Sequence, residues 1–305
     1  MSKKTSYLLG ILLTIVLGTL LYCYLCDSCY CCQGNTTAIE ANVPDVKPAT
    51  VNPFVVKDMI GDLSLNIHDN FNFNESGFNY LEPLAANVDG AIDQLKAYLA
   101  DNPLKSLSIT GHYTSGEVNS SAFPNLGLGR ANTVKNYLVS KGIPSSVIDT
   151  YGKLDDSLVS DPNSVYFGPV SYDILTAQEN SNNDDLKALG DAIRANPLVL
   201  YFDTGEASIN LTAEQRQKVA DISRYLDKVD GAHCLIVGHT DNTGDAANNM
   251  ALGQDRADFA KNYFIRNGIS GDKINASSKG QSEPIADNAT EDGRSKNRRT
   301  VVTIN

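Results

Sequence analysis

The sequence predicts an α+β protein: one apolar helix at the N-terminus, then two β-α-β-α-β-β units, each a mixed sheet with helices on one face. Three observations predict it. An uncharged apolar run extends from Tyr7 to Leu25. Beyond it, helical spacing (Val88, Ile92, Leu95, Leu99, and later Val219, Ile222, Leu226, Val229) alternates with strand-like runs such as Leu198 to Phe202, Leu235 to Val237, Ile274 to Ser277 and Thr300 to Ile304. Finally, a Gly-His pair at the end of a strand-like run occurs twice, at Gly111-His112 and Gly238-His239.

The first element is a membrane anchor. A helix over Tyr7 to Leu25 is about 28 Å long at about 1.5 Å per residue, which matches the hydrocarbon thickness of a bilayer. No small-residue cleavage site follows, and Leu21 and Tyr22 before Cys23 do not suit lipoprotein processing, so the segment is expected to stay uncleaved. Lys3 and Lys4 before it and Asp27 after it place the bulk of the chain outside the cytoplasm.

Cys23, Cys26, Cys29, Cys31 and Cys32 follow at once, and three readings of them stay open: cross-linking of facing copies, acylation or metal binding, and small polarizable residues at a membrane border. The sixth cysteine, Cys234, stands alone in a strand-like run and is expected to be buried, so the folded parts are no disulfide scaffold. Residues 33–53, with Pro44, Pro48 and several threonines, are expected to be a linker.

Segments 54–175 and 197–305 follow one plan, with 176–196 as connector. Leu99 stands twelve residues before Gly111, and Leu226 twelve before Gly238. Leu126-x-x-x-Arg130-Ala131 matches Leu252-x-x-x-Arg256-Ala257, and Gly142-Ile143 matches Gly268-Ile269. In the first segment Thr114 falls opposite Asp241 and Phe123 opposite Asn249, so it is expected to keep the fold and Arg130 while lacking the carboxylate. In the second, Thr212 and Gln215 are spaced as a capping box.

The second segment carries Gly238-His239-Thr240-Asp241-x-x-Gly244, then Asn249-x-x-Leu252-x-x-x-Arg256-Ala257, Gly280-x-x-x-Pro284 and Gly293-Arg294-x-x-Asn297-Arg298-Arg299. This pattern resembles the OmpA-like (OmpA/MotB/Pal) peptidoglycan-binding domain over about residues 198–305. The resemblance implies a ligand, the diaminopimelate of a peptidoglycan stem peptide, which carries an ammonium and a carboxylate on one centre. Asp241 would meet the ammonium and Arg256 the carboxylate, where a planar fork of donors gives a geometry lysine lacks. Thr240, Asn249, Leu252 and Arg298 would line the same site. Against this stand plainer roles: a turn or helix-capping aspartate, a solvated arginine, and Arg294, Arg298 and Arg299 engaged with acidic neighbours.

With 25 Lys+Arg against 36 Asp+Glu and a formal net charge of −11, the chain offers no general nucleic-acid surface. No G-x-S-x-G, H-E-x-x-H or P-loop occurs, so no enzyme activity, metal or cofactor is expected. A MotB-like proton-driven stator would need an acidic residue within the apolar helix, and Tyr7 to Leu25 has none. The expectation is a non-enzymatic envelope anchor, single-pass, in the inner membrane with periplasmic domains or alternatively in the outer membrane, whose partners are peptidoglycan and the membrane. The alternative is a subunit of a larger envelope complex, as a homo-oligomer or with its first domain docked on a protein partner.

Overall fold

The computed structural model describes residues 13–20, 47–176, 182–202 and 210–305. Residues 13–20 are helical and exposed (α1). The rest of the expected anchor, the five clustered cysteines and the linker up to residue 46 lie outside the described residues. Among the described residues no helix is long and apolar enough to cross a membrane. The expected linker ends earlier than residue 53. Thr50 N donates to Val159 O at 2.9 Å and Asn52 N to Phe167 O at 3.2 Å, so these residues already belong to the folded body.

From Pro48 the chain forms one compact unit, distinct from residues 1–47. Its elements run β1 (Phe54–Lys57), β2 (Ser64–Ile67), β3 (Asn72–Asn74), α2 (Ala86–Asp101), β4 (Lys105–Tyr113), α3 (Leu126–Ser140), β5 (Ile148–Leu154), β6 (Val165–Phe167) and β7 (Val170–Thr176). They continue with α4 (Asn182–Ala195), β8 (Leu198–Tyr201), α5 (Ala213–Lys228), β9 (Cys234–His239), α6 (Ala246–Arg266), β10 (Ile274–Gly280), α7 (Glu291–Asn297) and β11 (Arg299–Ile304). The architecture is α+β with mixed sheets.

Two strand sets share a pairing rule. β4 pairs parallel with β5 and antiparallel with β7. β9 pairs parallel with β10 and antiparallel with β11, which also pairs with β8, in the order β10-β9-β11-β8. The hairpin β1-β2 and the short pair β3-β6 were not expected from the sequence. Both lack an alternating stretch long enough to separate them from loop.

Each strand set carries its own core. Phe54, Phe71, Phe73, Ile92, Leu95, Leu107 and Ile109 belong to the first, and Leu198, Val219, Ile222, Ile236, Phe264 and Val302 to the second. The apolar stripes of α2 and α5 are buried as their spacing predicts, apart from half-buried Val229, and the Thr212/Gln215 capping box starts α5. Helix α6 buries a face of Asn249, Gly253, Arg256, Ala257, Ala260 and Phe264, while Ala251 and Leu252 are exposed.

Close backbone approach explains that face. A Cβ on Gly238 would lie 1.9 Å from Gly253 O, so α6 rests directly on β9 and leaves room only for small residues there. The same device recurs where α3 meets β4: a Cβ on Gly111 would lie 2.0 Å from Gly127 O.

The two cores are also joined. Ala122 and Phe123, from the loop before α3, are buried in the second core. Ala122 N donates to Asn267 Oδ1 at 2.7 Å, Lys135 is ion-paired with Asp227, and Lys228 with Asp149 at 2.9 Å.

Candidate functional site

The contact of Gly238 with Gly253 sets the geometry of the site. Asp241 stands three residues past the first glycine and Arg256 three past the second, so locking strand to helix brings both side chains to one end of the β9-α6 junction. Both are largely buried, and they line one cleft of about 510 Å³ together with Thr240, Asn249, Leu252 and Arg298. All six residues singled out from the sequence thus share a cavity. Thr243, Glu291 and Arg294 complete its wall.

The turn from β9 into α6 is built by short-range bonds. Thr240 N donates to Gly280 O at 2.9 Å, at the register shift in β10, and Thr240 Oγ1 donates to Asp241 O at 2.8 Å. Gly280 has φ +49°, and a Cβ there would lie 3.0 Å from Met250 N. Asn249 Nδ2 donates to Thr243 O at 3.1 Å and to Gln281 Oε1 at 2.5 Å, tying helix to turn. The helix cap is Asp245, whose carboxylate accepts from Ala247 N and Asn248 N. Asp241 is therefore free of capping. One of its oxygens accepts from Thr243 N at 2.9 Å, a turn contact, and the other faces Arg298.

Arg298 is the counter-charge of Asp241: Nη1 lies 2.9 Å from Asp241 Oδ2, and its Nη2 lies 2.8 Å from Glu291 Oε1. Burial alone would push the Asp241 carboxyl up, but the hydrogen bonds from Arg298 and Thr243 outweigh it and hold the group below its ordinary range. Arg256 has different company. Its Nη1 donates to His239 O at 3.1 Å, the Phe202 ring lies 5.6 Å from its guanidinium carbon, and its Nε has no partner among the described residues. Burial lowers its affinity for a proton, opposed by the charge of Asp241. Such a guanidinium stays charged and keeps donors in reserve.

The remaining motif residues have structural parts. His239 contributes its carbonyl, while its ring stands outside the cleft and is kept neutral by burial, its pKa pushed down to about 4. Asn297 is fully buried; it accepts from Ile285 N and Ala286 N and donates to Ala286 O and Asn288 Oδ1, pinning the loop before α7. Arg299 donates to the carbonyls of Asn297 and Glu283. Arg294 bonds Glu291 and Asn288 O while facing the cleft. Sequence reasoning missed Glu291, since α7 is too short to show periodicity, and Thr243, whose place in the turn beside Asp241 carries no periodic signal.

The first strand set holds the counterpart of this arrangement. Arg130 Nη1 donates to His112 O at 2.8 Å, as Arg256 does to His239 O, and the ring of Phe73 lies 5.4 Å from its guanidinium carbon. The expectation that this segment lacks a carboxylate is corrected: Glu117, from the following loop, pairs with Arg130, and both side chains are fully buried. No spacing shared with Asp241 marks Glu117, so aligning the two motifs cannot find it.

A charged cleft with carboxylate and guanidinium on one rim lies at a strand-to-helix junction of an α+β domain. Residues 201–298 match the OmpA family, and this part of the chain is an OmpA family domain. The peptidoglycan-binding protein ArfA of Mycobacterium tuberculosis is 36% identical over 121 residues, which is 40% of this chain and 36% of ArfA. The peptidoglycan-associated lipoprotein of Buchnera aphidicola is 35% identical over 103 residues, 34% of this chain and 58% of that protein. The chain thus spans about a third of the length of the first of these relatives and under two thirds of the second. Among solved structures, the peptidoglycan-associated lipoprotein from Burkholderia pseudomallei aligns at 29% identity over 35% of this chain and 89% of that one, with a TM-score of 0.31.

Proposed function

We propose that residues 197–305 bind peptidoglycan non-covalently, by clasping the zwitterionic centre of a diaminopimelate-containing stem peptide between Asp241 and Arg256, and so tether a membrane to the cell wall. One observation carries the reading. Asp241 and Arg256 line the same cleft without an ion pair between them, and among the described residues only Nη1 of the Arg256 guanidinium is engaged in a hydrogen bond. A ligand ammonium would share Asp241 with Arg298, and a ligand carboxylate would take the reserve donors of Arg256. Thr240, Asn249 and Leu252 shape the wall, and the reaction class is binding without turnover.

Each charge-assisted bond contributes about 1.5–3 kcal/mol before desolvation is subtracted. One stem peptide is held modestly, and a wall that repeats the ligand densely supplies avidity. The chain's organisation fits this role: an apolar anchor over Tyr7 to Leu25, a linker, a first OmpA-like domain within 54–175, a connector and the binding domain. The twin pairing of β4 and β9, and the twin Gly–Gly contacts, support reading the first domain as a second use of one plan. The location is the bacterial envelope, with the domains in the periplasm.

The test is co-sedimentation of the full-length protein, in mild detergent, with isolated sacculi. Wild type pellets and free diaminopimelate releases it, whereas an Asp241→Asn/Arg256→Ala double variant stays in the supernatant. Equal pelleting of the two proteins refutes the assignment.

A second reading, in which the first domain docks a protein partner in a larger envelope assembly, is favoured by one observation. Met59 and Ile60 are 83% and 87% exposed at the tip of the β1-β2 hairpin, where Asp58 is fixed by Tyr98 at 2.5 Å and Lys105 at 2.9 Å. Cross-linking in intact cells that recovers only the cell wall and copies of this chain removes that reading.

A further inference from the structure

Arg130 is the largest fully buried side chain of the protein's described residues, and every one of its nitrogens is engaged. Nε donates to Gly77 O at 3.0 Å, Nη1 to His112 O at 2.8 Å, and Nη2 to Asn74 O at 3.3 Å. Its two terminal nitrogens also hold Glu117 as a fork: Nη2 to Oε1, and Nη1 to Oε2 at 3.3 Å. The rings of Phe73 and Tyr166 each lie 5.4 Å from the guanidinium carbon.

The carboxylate is as fully served as the arginine. Oε1 accepts from Ser76 N at 3.0 Å and Oε2 from Thr114 N at 2.8 Å. Ser76 reaches this position with φ +58°, a left-handed conformation that costs a residue other than glycine free energy, so the surrounding contacts hold it there. The loop is fastened again by Ser76 Oγ, which accepts from Val118 N at 2.9 Å, and by Ser120 Oγ, which donates to Ser76 O at 2.7 Å.

A buried Arg–Glu pair is a poor way to gain stability alone, because desolvating both ions offsets their attraction. Its place in the fold gives it another meaning. Arg130 and Arg256 each stand three residues past a helix glycine that touches a strand glycine, each donates Nη1 to the carbonyl of the following histidine, and each is covered by a phenylalanine ring. What differs is the remaining face of the guanidinium. On Arg256 it opens to a cleft, and on Arg130 it carries Glu117.

We propose that Arg130 is a carboxylate-binding site occupied by the chain's own Glu117, an intramolecular ligand that closes the first domain to external carboxylates. The comparison with Arg256 rests on the function proposed above, whereas the Arg130 site can be tested by itself. Removing the Glu117 side chain leaves a cavity lined by a guanidinium fork and two backbone N–H groups, and a monocarboxylate of the size of acetate fits that chemistry.

The experiment is thermal unfolding of the full-length protein in detergent, comparing sodium acetate with sodium chloride at equal ionic strength. Glu117→Ala lowers the midpoint in chloride by about 10 °C. Acetate raises the midpoint of Glu117→Ala by about 3 °C over chloride, in a saturable manner, by binding only the folded state. It gives no such gain to wild type, to Glu117→Gln or to an Arg130→Met/Glu117→Ala double variant. Should Glu117→Ala not fold in chloride, the yield of folded protein on refolding in acetate replaces the midpoint.

No difference between acetate and chloride for Glu117→Ala, in midpoint or in yield, overturns the proposal; so does an equal gain in the double variant. Pelleting with sacculi separates the two ideas. Absent acetate rescue, with pelleting still dependent on Asp241 and Arg256, defeats the Arg130 site alone; acetate rescue without that dependence defeats the wall-binding reading alone.

Discussion

Arg298 Nη1 lies 2.9 Å from Asp241 Oδ2, across the mouth of the cleft that also holds Arg256. Asp241 is therefore charge-balanced before any ligand arrives, and its carboxylate stays ionised in a largely buried position. A ligand ammonium has to share this carboxylate, which tempers affinity for single stem peptides.

Arg298→Ala tests that balance. The Asp241 carboxyl then loses a charge-assisted bond, worth about 1.5–3 kcal/mol, and its pKa moves upward because burial is no longer outweighed. Carbon-detected NMR titration of the aspartate carboxyls should show one group shifting up. Sacculus binding at neutral pH should weaken about tenfold, as the cleft loses its frame, and Arg298→Lys should recover only part of it. An unshifted carboxyl contradicts the pairing.

The pH dependence has two parts with the same sign. Asp241, held below its ordinary range, contributes stability that is fully present above the unfolded carboxylate value near 3.8 and lost as pH falls through its lower folded value. His239 is kept neutral, with its pKa pushed from 6.5 to about 4 by burial and by the Arg299 charge, so the unfolded chain takes up its proton first on acidification. Stability should fall between about pH 6.5 and pH 4 by about 1–2 kcal/mol after solvent screening. Urea titrations at stepped pH should show this fall in wild type and a smaller one in His239→Gln; identical pH profiles would count against a buried neutral ring.

The glycine contact between β9 and α6 is open to direct test. A methyl group on Gly238 would meet Gly253 O at 1.9 Å, and the carbonyl belongs to a helix backbone that cannot swing aside. Gly238→Ala should cost about 2–3 kcal/mol, as overpacking does in a close-packed interior. It should also reduce sacculus binding beyond what the lost stability explains, since the helix carrying Arg256 is pushed from the strand leading to Asp241. Gly244→Ala serves as a control of another kind: its strain comes from φ +94°, with open space around the missing Cβ.

Much of this was legible in the sequence for definite reasons. Apolar stripes such as Val88, Ile92, Leu95 and Leu99 announce helix and core together, and Thr212 with Gln215 marks a helix start through chemistry confined to one turn. The cleft residues could be gathered because the resemblance to the OmpA-like domain names their motif positions, and Asp241 and Arg256 lie on two consecutive elements. What stayed hidden depends on tertiary approach. Beside Phe264, the buried face of α6 is made of Asn249, Gly253, Arg256, Ala257 and Ala260 because β9 lies so near, and a hydrophobic count does not find these small and polar members. Arg298 meets Asp241 from 57 residues away. Glu117 occupies an irregular loop where neither period nor motif applies. The hairpin β1-β2 is two strands of four residues each, too short to show a period that separates strand from loop.

The loop that delivers Glu117 also delivers Phe123, which is fully buried in the core of the OmpA family domain while Glu117 is buried at Arg130. Asn119 braces the stretch between them: its side chain accepts from Ser121 N and donates to Phe123 O at 2.8 Å. Phe123→Ala should therefore cost about 3–5 kcal/mol through the cavity it leaves. The loss should not fall on one core alone. Wild type should unfold in a single transition, because Phe123, the Ala122–Asn267 bond and the Lys135–Asp227 pair bind the two cores together. The variant should show two separated transitions in calorimetry, with sacculus binding lost in the one that unfolds residues 197–305. Glu117→Gln, which keeps the loop's shape and the oxygen facing Thr114, should retain the single transition. Two transitions in wild type, or one unchanged transition in Phe123→Ala, would mean that the loop does not couple the cores.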